Sequence, residues 1–493
     1  MKGETKMSKK TIKKAIFFII GALLIALIVT AAIFLANLKD NSPLEISEKP
    51  IAKTTYNQPF VNGETGDSDN FRIPALITLN NGRLVNAVDA RYDQTQDGGG
   101  LDTVVAYSDD NGQTWNSYTA NYLGDNGNKF DLESSAFIDP ELLTDGENIW
   151  MMTTFYSGGR ALSGYTGLKT AVKKSAFNDD GTLKLSKNHG LTYSYKVDIN
   201  HFENGYSSIV DKKGNDTGYK IDEYFFLYNE NNEQIGNIFY IKSKSVFSVV
   251  PTTFLYMTKS TDGGASFGAP KLINAKKEDE SFYGAGPGKG IITSDGTLIM
   301  SAYYVNVKSG KQASSFIYST DGGDTWFRSD DLPYNEKCEY SGESQIIELP
   351  NGNLRCFFRN NSNKISYADA VKENEKYTWS DVTITDIDAT TGCMLSAIRV
   401  TNADKEYILI SCPTGSETDE KGNNKHTRTD GKIFAFELDG NNDMSLINTT
   451  EVKKDTFMYS CMTVDNNGDI AIVYESENGE ITFEIYGLNE ILN

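Results

Sequence analysis

The chain has 493 residues, of which 39% are hydrophobic, 11% aromatic and 23% charged, a composition typical of a folded globular protein. Its formal net charge of −20 disfavours nucleic acid as a partner, because an acidic surface repels phosphate. The three histidines, His189, His201 and His426, are far apart in the sequence, and the five cysteines form no Cys-x-x-Cys pair. These patterns argue against a His-rich zinc site, a Ser-His-Asp triad and thioredoxin-like chemistry.

The N-terminus combines a lysine-rich segment with an uncharged apolar run from Ala15 to Ala36. The run is long enough to cross a bilayer as a helix, and longer than the apolar part of a typical cleaved signal peptide. We therefore predict a basic cytoplasmic segment at 1–14, a retained transmembrane signal anchor at 15–38 and a polar linker at 39–65. Cleavage near Ala36 is the alternative, and in both cases the rest of the chain is extracytoplasmic.

Two local patterns recur after the linker. In the first, a tight-turn pair precedes an apolar, β-branched segment, at Asn81-Gly82, Asp145-Gly146, Asp295-Gly296, Asn351-Gly352 and Asn467-Gly468. The second reads Ser-x-Asp-x-Gly-x-Thr-Trp and occurs as SDDNGQTW from Ser108, STDGGASF from Ser260 and STDGGDTW from Ser319, with a decayed fourth candidate ending at Trp379. Several copies of one turn pattern indicate an internal repeat.

The spacing of the second pattern predicts an insertion. The interval from Ser260 to Ser319 is close to one repeat, whereas the interval from Ser108 to Ser260 holds about 90 additional residues. Repeats of this length with several short strands are typical of the four-stranded blades of a β-propeller. We predict an all-β, six-bladed propeller at 66–159 and 256–493, interrupted by a small β insertion at 160–255.

The tetrapeptide Phe71-Arg72-Ile73-Pro74, followed by three Asp-containing repeats, resembles the bacterial sialidases (exo-α-neuraminidases). The resemblance extends from Phe71 to the C-terminus and is to the large type with a β insertion in the propeller. It implies a propeller with Asp-box repeats that releases terminal sialic acid from sialylated glycans by a retaining mechanism. It also implies that no metal or redox cofactor takes part.

The resemblance assigns the carboxylate of sialic acid to Arg72, Arg359 and Arg428. Arginine suits this role because its planar, permanently charged fork can bind a carboxylate through two parallel hydrogen bonds. It assigns the nucleophile to Tyr459, paired with Glu343. Sialidases are an exception to the two-carboxylate mechanism, and a neutral phenol avoids repulsion from the sugar's own carboxylate.

The same resemblance assigns the general acid/base to Asp97, in RYDQTQDGGG, with Asp93 as a nearby competitor. Members of the family often have Thr-His-Asp here, where this chain has Gln96 before the aspartate. The remaining matches are Arg91 and Asp139, as ligands on the side of the sugar's 4-hydroxyl, and Glu475, as support for the first arginine.

Three alternatives to an exo-sialidase remain open at this point. The same site could perform trans-sialylation, including the intramolecular reaction that gives an anhydro sugar. A non-catalytic, sialic-acid-binding propeller would need the arginines but not Tyr459, Glu343 and Asp97 together. A purely structural surface propeller would need no arginine cluster. For partners, we expect sialylated glycoconjugates and a membrane reached through the N-terminal helix, no nucleic acid, and a monomeric, cell-surface protein.

Overall fold

The computed structural model describes residues 52–55, 58–91, 97–98, 100–123, 135–157, 175–240, 245–333, 338–373 and 376–493. The predicted cytoplasmic segment and anchor at 1–38 lie outside these ranges. Within them, no helix is long and apolar enough to cross a membrane. The described chain consists mainly of strands and tight turns, which agrees with its many glycines and aromatic residues.

The first blade comprises β1 (Ala52–Thr55), β2 (Phe71–Thr78), β3 (Leu84–Ala90), β4 (Asp102–Ser108) and β5 (Thr114–Asn121), in the order β1-β5-β4-β3-β2. The second blade begins with β6 (Ala136–Thr144) and β7 (Ile149–Tyr156). The chain then leaves this blade and forms a separate seven-stranded sheet, the insertion sheet. Its strands are β8 (Leu183–Ser186), β9 (Tyr195–Val197), β10 (Tyr206–Asp211), β11 (Asp216–Asp222), β12 (Phe226–Tyr228), β13 (Gln234–Asn237) and β14 (Ser248–Val249).

The chain returns to the second blade with β15 (Thr253–Ser260), which pairs with β7, and β16 (Lys271–Ile273). The third blade is formed by β17 (Glu280–Ala285), β19 (Ile291–Ile292), β20 (Leu298–Asn306), β21 (Gln312–Ser319) and β22 (Phe327–Arg328), while β18 (Gly288–Lys289) pairs in parallel with β6. The fourth blade contains β23 (Ser344–Glu348), β24 (Leu354–Phe358), β25 (Lys364–Glu373), β26 (Lys376–Trp379) and β27 (Thr383–Asp388).

The fifth blade contains β28 (Ser396–Asn402), β29 (Lys405–Pro413), β32 (Thr429–Leu438) and β33 (Met444–Thr456), and a small hairpin, β30 (Ser416–Thr418) and β31 (Asn424–His426), projects from it. The sixth blade contains β34 (Ser460–Val464), β35 (Ile470–Glu475) and β36 (Ile481–Tyr486), and is followed by the short helix α1 (Leu488–Leu492). Two 3-10 turns lie at Thr65–Asp67 and Glu477–Gly479. The six sheets confirm the predicted all-β, six-bladed architecture.

The insertion sheet shares its hydrophobic core with the second blade. Phe137 of β6 and Phe155 of β7 stack with ring centroids 4.8 Å apart, and Phe239 of the insertion meets Phe155 edge-on at 4.8 Å. Phe254 of β15 joins the same cluster. Offset and edge-on aromatic pairs of this kind stabilise a core beyond simple burial. The insertion therefore packs on β7, which pairs with the strand that carries Asp139.

The three Asp boxes form tight turns held by their own serine and aspartate side chains. In the first box, the Ser108 hydroxyl oxygen accepts the Gly112 N–H at 2.8 Å. Asp110 accepts the Thr114 N–H at 2.8 Å. The other two boxes make both bonds at 2.9–3.0 Å. The fourth candidate, which ends at Trp379, lies in the β25–β26 hairpin, whose turn residues 374–375 are outside the described residues.

A further copy of this turn lies in the insertion, where the sequence analysis did not identify it. The Ser186 hydroxyl oxygen accepts the Gly190 N–H at 2.8 Å. Asn188 accepts the Thr192 N–H at 2.9 Å, in the role that aspartate has in the other boxes. The segment reads SKNHGLTY, so asparagine and tyrosine replace the aspartate and tryptophan of the repeat. An asparagine carbonyl makes the same bond to the backbone without a charge.

Candidate active site

The innermost strands of the blades bring distant parts of the chain together. β2 contacts both β6 and β34, and β28 contacts β23 and β34. Arg72 lies on β2 and Asp139 on β6, while Glu343 and Tyr459 immediately precede β23 and β34. The starts of these inner strands meet at one end of the propeller, so its topology gathers the predicted site residues there.

Tyr459, Glu343 and Arg359 form a closed hydrogen-bonded group. The Tyr459 hydroxyl donates to Glu343 Oε1 at 2.6 Å. Arg359 Nη1 donates to Glu343 Oε2 and to the Tyr459 oxygen, each at 3.0 Å. Tyr459 is 4% exposed, and burial followed by the charge of Glu343 raises its pKa well above its usual value, although Arg359 opposes the shift. The phenol is therefore neutral near pH 7 and has a carboxylate placed to accept its proton.

Arg72 is held from behind by Glu475. Its Nε and Nη2 atoms donate to the two carboxylate oxygens of Glu475 at 3.1 and 3.2 Å. Glu475 is 1% exposed and also accepts the Ile73 N–H at 2.7 Å. Ile73 has a φ of 60°, which is costly for a β-branched residue, so this bond helps to hold a strained backbone. Burial lowers the pKa of Arg72, but Glu475, through its charge and its hydrogen bond, outweighs this effect together with Tyr459 and Asp97, and the net pKa is raised.

Arg428 is held by a neutral group rather than by an acid. Its Nη2 atom donates to the Gly392 carbonyl at 2.9 Å. The guanidinium carbons of Arg428 and Arg72 each lie 5.5 Å from the centroid of the Tyr459 ring. Together with Arg359, which bonds the hydroxyl, three guanidinium groups surround this one ring. The arrangement concentrates positive charge where an anionic ligand could bind.

Asp97 lies against a buried arginine. Arg91 Nη1 donates to Asp97 Oδ1 at 2.6 Å, and Arg91 Nη2 donates to Asp89 at 2.8 Å. The Asp97 side chain is 44% exposed, and Arg72 Nη1 lies 3.9 Å from it. Burial raises the pKa of Asp97, but Arg91 and then Arg72 outweigh it, so the net pKa is lowered. The competing residue, Asp93, lies outside the described residues.

Asp139 lies in an unusually acidic, buried setting. Its N–H donates to Asp89 Oδ1 at 3.1 Å, and its own φ is 61°. Burial, then the charges of Asp89 and Glu343, raise the pKa of Asp139 well above its usual value. Burial also raises the pKa of Asp89 to about 7, although Arg91 opposes the shift. At least one of the two acids, Asp89 and Asp139, therefore carries a proton at mildly acidic pH and can donate it to a hydroxyl or carbonyl.

Two members of this cluster, Asp89 and Tyr303, were not predicted from the sequence. Asp89 is a single acid in the buried strand LVNAVDA, and this isolated charge among apolar residues was the available signal. Tyr303, on β20, is buried, and burial followed by the charges of Asp139 and Glu343 raises its pKa. Nothing local distinguishes Tyr303 from the other tyrosines of the chain, since only the fold brings it to Asp139.

The assembled site contains a neutral phenol that is hydrogen-bonded to a carboxylate, three arginines around that phenol, and a half-exposed aspartate on the first blade. This combination can hold an anion, supply a nucleophile with its base, and transfer a proton to a third group. Among the described residues, no group of histidine, cysteine and acidic side chains could hold a metal ion. All five cysteines are buried and form no disulfide.

Comparisons with known proteins place the chain in a family. Residues 226–472 match the family described as BNR repeat-like domain. The chain is 29% identical to an anhydrosialidase of Macrobdella decora, over 89% of the chain and 62% of that protein. It is 28% identical to sialidase B of Streptococcus pneumoniae, over 64% of the chain and 49% of that protein. The chain thus spans about half to two thirds of the length of these curated relatives.

A solved structure gives a similar picture. The intramolecular trans-sialidase of Ruminococcus gnavus superposes with a TM-score of 0.73 at 25% identity, over 89% of this chain and 98% of that one. The family match covers half of the chain, and both the sequence relatives and the structural relative are sialidases by name. The chain therefore belongs to the BNR repeat-like family, and these comparisons support the resemblance to the bacterial sialidases found in the sequence.

Proposed function

We propose that the protein is a retaining exo-sialidase that releases terminal sialic acid from sialylated glycans, with Tyr459 as the nucleophile. The observation that carries this proposal is the 2.6 Å hydrogen bond from the Tyr459 hydroxyl to Glu343, beneath three arginines. An activated nucleophile needs a base within hydrogen-bonding reach, and this pair meets that requirement. A non-catalytic binding propeller would have no use for such a pair.

Binding of the substrate prepares the acid. The carboxylate of sialic acid would lie between Arg72, Arg359 and Arg428, at the positive end of the site. In the free protein the pKa of Asp97 is lowered by Arg91 and then by Arg72 and Arg359. The charge of the bound carboxylate would offset the part that is due to Arg72 and Arg359. The pKa of Asp97 would then rise on binding, so that the side chain takes up a proton. The arginine cluster also supplies the local attraction that a chain of net charge −20 lacks as a whole.

The reaction then needs two displacements. Tyr459 attacks the anomeric carbon while Glu343 accepts the phenolic proton, and Asp97 donates its proton to the departing glycosidic oxygen. Asp97 then removes a proton from water, which attacks the anomeric carbon of the tyrosyl intermediate. Glu343 returns the proton to the Tyr459 oxygen as the bond to the sugar breaks. Two inversions leave the configuration of the released sugar unchanged.

Intramolecular trans-sialylation is the second candidate. Two relatives favour it, since one is named an anhydrosialidase and the other an intramolecular trans-sialidase. In that reaction a hydroxyl of the sugar itself replaces water at the second displacement, and Asp97 removes the proton from that hydroxyl. The product is lighter than sialic acid by one water. Transfer to a separate sugar acceptor is the third outcome of the same intermediate.

A turnover assay with product analysis tests the proposal. The full chain is incubated with a fluorogenic sialoside and with 3′-sialyllactose, and the products are identified by mass spectrometry. We expect free sialic acid from wild type and a loss of about 10³-fold or more in kcat for Tyr459→Phe. Tyr407→Phe is the matched control, because Tyr407 is buried in the fifth blade away from the site. An anhydro sugar as the product would replace the hydrolase with the second candidate.

The N-terminal anchor and the extracytoplasmic location belong to this proposal as well. The sequence of lysines followed by an uncharged run supports them. Cell fractionation tests them, with the intact mass of the membrane-bound protein as the readout. We expect the uncleaved chain in the membrane fraction, and a shortened chain in the medium would contradict a retained anchor.

A further inference from the structure

Asp89 is a buried acid that no step of the proposed reaction uses. It lies near the end of β3, a strand in which every residue is buried, and it is 0% exposed. A carboxylate in such a place is costly unless hydrogen bonds and an opposite charge replace the lost water. The partners of Asp89 therefore indicate what this acid does.

The two carboxylate oxygens of Asp89 hold two different parts of the candidate site. Oδ2 accepts a hydrogen bond from Arg91 Nη2 at 2.8 Å, and Oδ1 accepts the Asp139 N–H at 3.1 Å. Arg91 and Asp139 are the two residues that the resemblance assigns to the side of the sugar's 4-hydroxyl. Because both oxygens of Asp89 are acceptors, one of them toward a guanidinium, Asp89 is the ionised member of its pair with Asp139.

Arg91 extends this support to Asp97. Its guanidinium is fully buried and lies between two carboxylates, with Nη2 on Asp89 and Nη1 on Asp97 Oδ1 at 2.6 Å. A guanidinium is a rigid plane, so holding one of its nitrogens restricts the direction in which the other can donate. Asp89 thus determines where Arg91 meets the half-exposed carboxyl of Asp97.

The neighbouring sixth blade contains the same arrangement at Glu475. Glu475 ends β35, the second strand of that blade, and accepts bonds from Arg72 and from the Ile73 N–H. Ile73 and Asp139 have φ values of 60° and 61°, each at a register shift of an inner strand and each before a proline. This left-handed backbone is costly for residues other than glycine. In both cases an acid on the second strand of the adjacent blade accepts the N–H of the strained residue.

We infer that Asp89 is a positioning residue for the second blade, as Glu475 is for the first. It fixes Arg91 and the strained backbone of Asp139, and through Arg91 it fixes the position of Asp97. One buried carboxylate therefore joins the residues at the sugar's 4-hydroxyl side to the residue at the leaving oxygen. The link to the leaving oxygen rests on the proposed function, in which Asp97 is the general acid.

The charge of Asp89 also limits the effect of nearby cations on Asp97. Burial, and to a smaller extent the charge of Asp97, raise the pKa of Asp89. Repulsion between two acids is mutual, so removal of the Asp89 charge should lower the pKa of Asp97 further, and Asp97 would then keep its proton only at lower pH. The other charged or titratable groups that face these two acids are Arg72, Arg91, Asp139 and Arg359.

Kinetics with two leaving groups tests this inference in Asp89→Asn of the full chain. Asparagine keeps the shape of the side chain but has one acceptor oxygen, so it cannot hold both Arg91 and the Asp139 N–H. A fluorogenic aryl group departs with little help from an acid, whereas lactose needs its oxygen protonated. We expect kcat/KM to fall about tenfold more for 3′-sialyllactose than for the fluorogenic sialoside. The alkaline fall of kcat for 3′-sialyllactose should move to lower pH.

Glu280→Gln is the matched control for general loss of stability. Glu280 is 1% exposed and, like Asp89, accepts bonds from an arginine, Arg328, and from a backbone N–H, that of Lys277. None of these partners belongs to the candidate site. Glu280→Gln should lower stability in urea but leave the ratio of the two kcat/KM values within about twofold of wild type. An unchanged ratio in Asp89→Asn, or an equal change in Glu280→Gln, would overturn the inference.

Ligand binding separates this inference from the proposed function. The probe is a sialic acid analogue with a C2–C3 double bond, which has no leaving group, and calorimetric titration measures its affinity. Asp89→Asn should weaken its binding about tenfold, because Arg91 and Asp139 lose their fixed positions. This loss without any turnover in wild type would reject the sialidase reaction but keep Asp89 as the residue that positions Arg91 and Asp139. Equal binding by wild type and Asp89→Asn would overturn that assignment.

Discussion

Replacing Glu475 by glutamine tests how Arg72 is held in the candidate site. The substitution keeps the shape of the side chain and removes its charge. The carboxylate accepts bonds from Arg72 Nε, Arg72 Nη2 and the Ile73 N–H, at 3.1, 3.2 and 2.7 Å. Arg72 is 16% exposed, so water replaces the lost partner poorly. Breaking a buried ion pair by removing one partner costs about 3–5 kcal/mol, and we expect about 3 because glutamine retains one carbonyl acceptor.

The same substitution should affect binding more than chemistry. Arg72 would lose its fixed orientation, so KM for a small sialoside should rise by about 10–100-fold, whereas the Tyr459–Glu343 contact is untouched and kcat should fall much less. Urea unfolding measures the loss of stability, and steady-state kinetics measures KM and kcat. Glu477→Gln, an exposed neighbour, is the matched control. A Glu475→Gln protein with wild-type stability and KM would refute this account of Arg72.

Three further predictions follow from the site and the core. The pKa of Asp97 is lowered in the free protein and should rise when the ligand carboxylate binds. The alkaline fall of kcat for 3′-sialyllactose should therefore occur at higher pH than the alkaline fall of kcat/KM. An alkaline fall of both quantities at the same pH would contradict this prediction. Gly431→Ala would push a Cβ into the ring of Phe457, so it should lower the free energy of unfolding in urea by about 1–3 kcal/mol and also lower kcat. Gly440→Ala is the control, because the added Cβ meets open space there. Equal stability of these two variants would rule out the clash. Phe239→Ala should cost about 3–5 kcal/mol, and calorimetry should still show one transition, because the insertion and the second blade share a core. Two transitions in the wild type would show that they unfold independently.

The turns and blades were predictable from the sequence because their chemistry is local. Each Asp box closes within a few residues through its own serine and aspartate, as in Ser108 and Asp110, so a short pattern suffices to find it. The same reasoning missed the turn at Ser186, where Asn188 accepts the backbone bond that aspartate accepts in the other boxes.

The active-site cluster could be predicted only through family resemblance. Tyr459 and Glu343 are 116 residues apart, and neither the composition nor the spacing indicates that they meet. Asp89 and Tyr303 were missed because their importance arises from burial beside Asp139, a property of the fold rather than of a local pattern. The repeat spacing predicted extra residues before Ser260, but it did not reveal that they separate two adjacent strands of one blade.

The central claim is that Tyr459 becomes covalently bonded to the sugar. A sialic acid analogue with fluorine at C2 and C3 tests it directly, because fluoride leaves readily from C2 while the C3 fluorine slows later breakdown of the intermediate. After incubation with the full chain, peptide mass spectrometry locates the adduct. Our account predicts one adduct on the peptide that contains Tyr459, and none in Tyr459→Phe. An adduct on Asp97 or Glu343, or turnover by Tyr459→Phe at the wild-type rate, would contradict it.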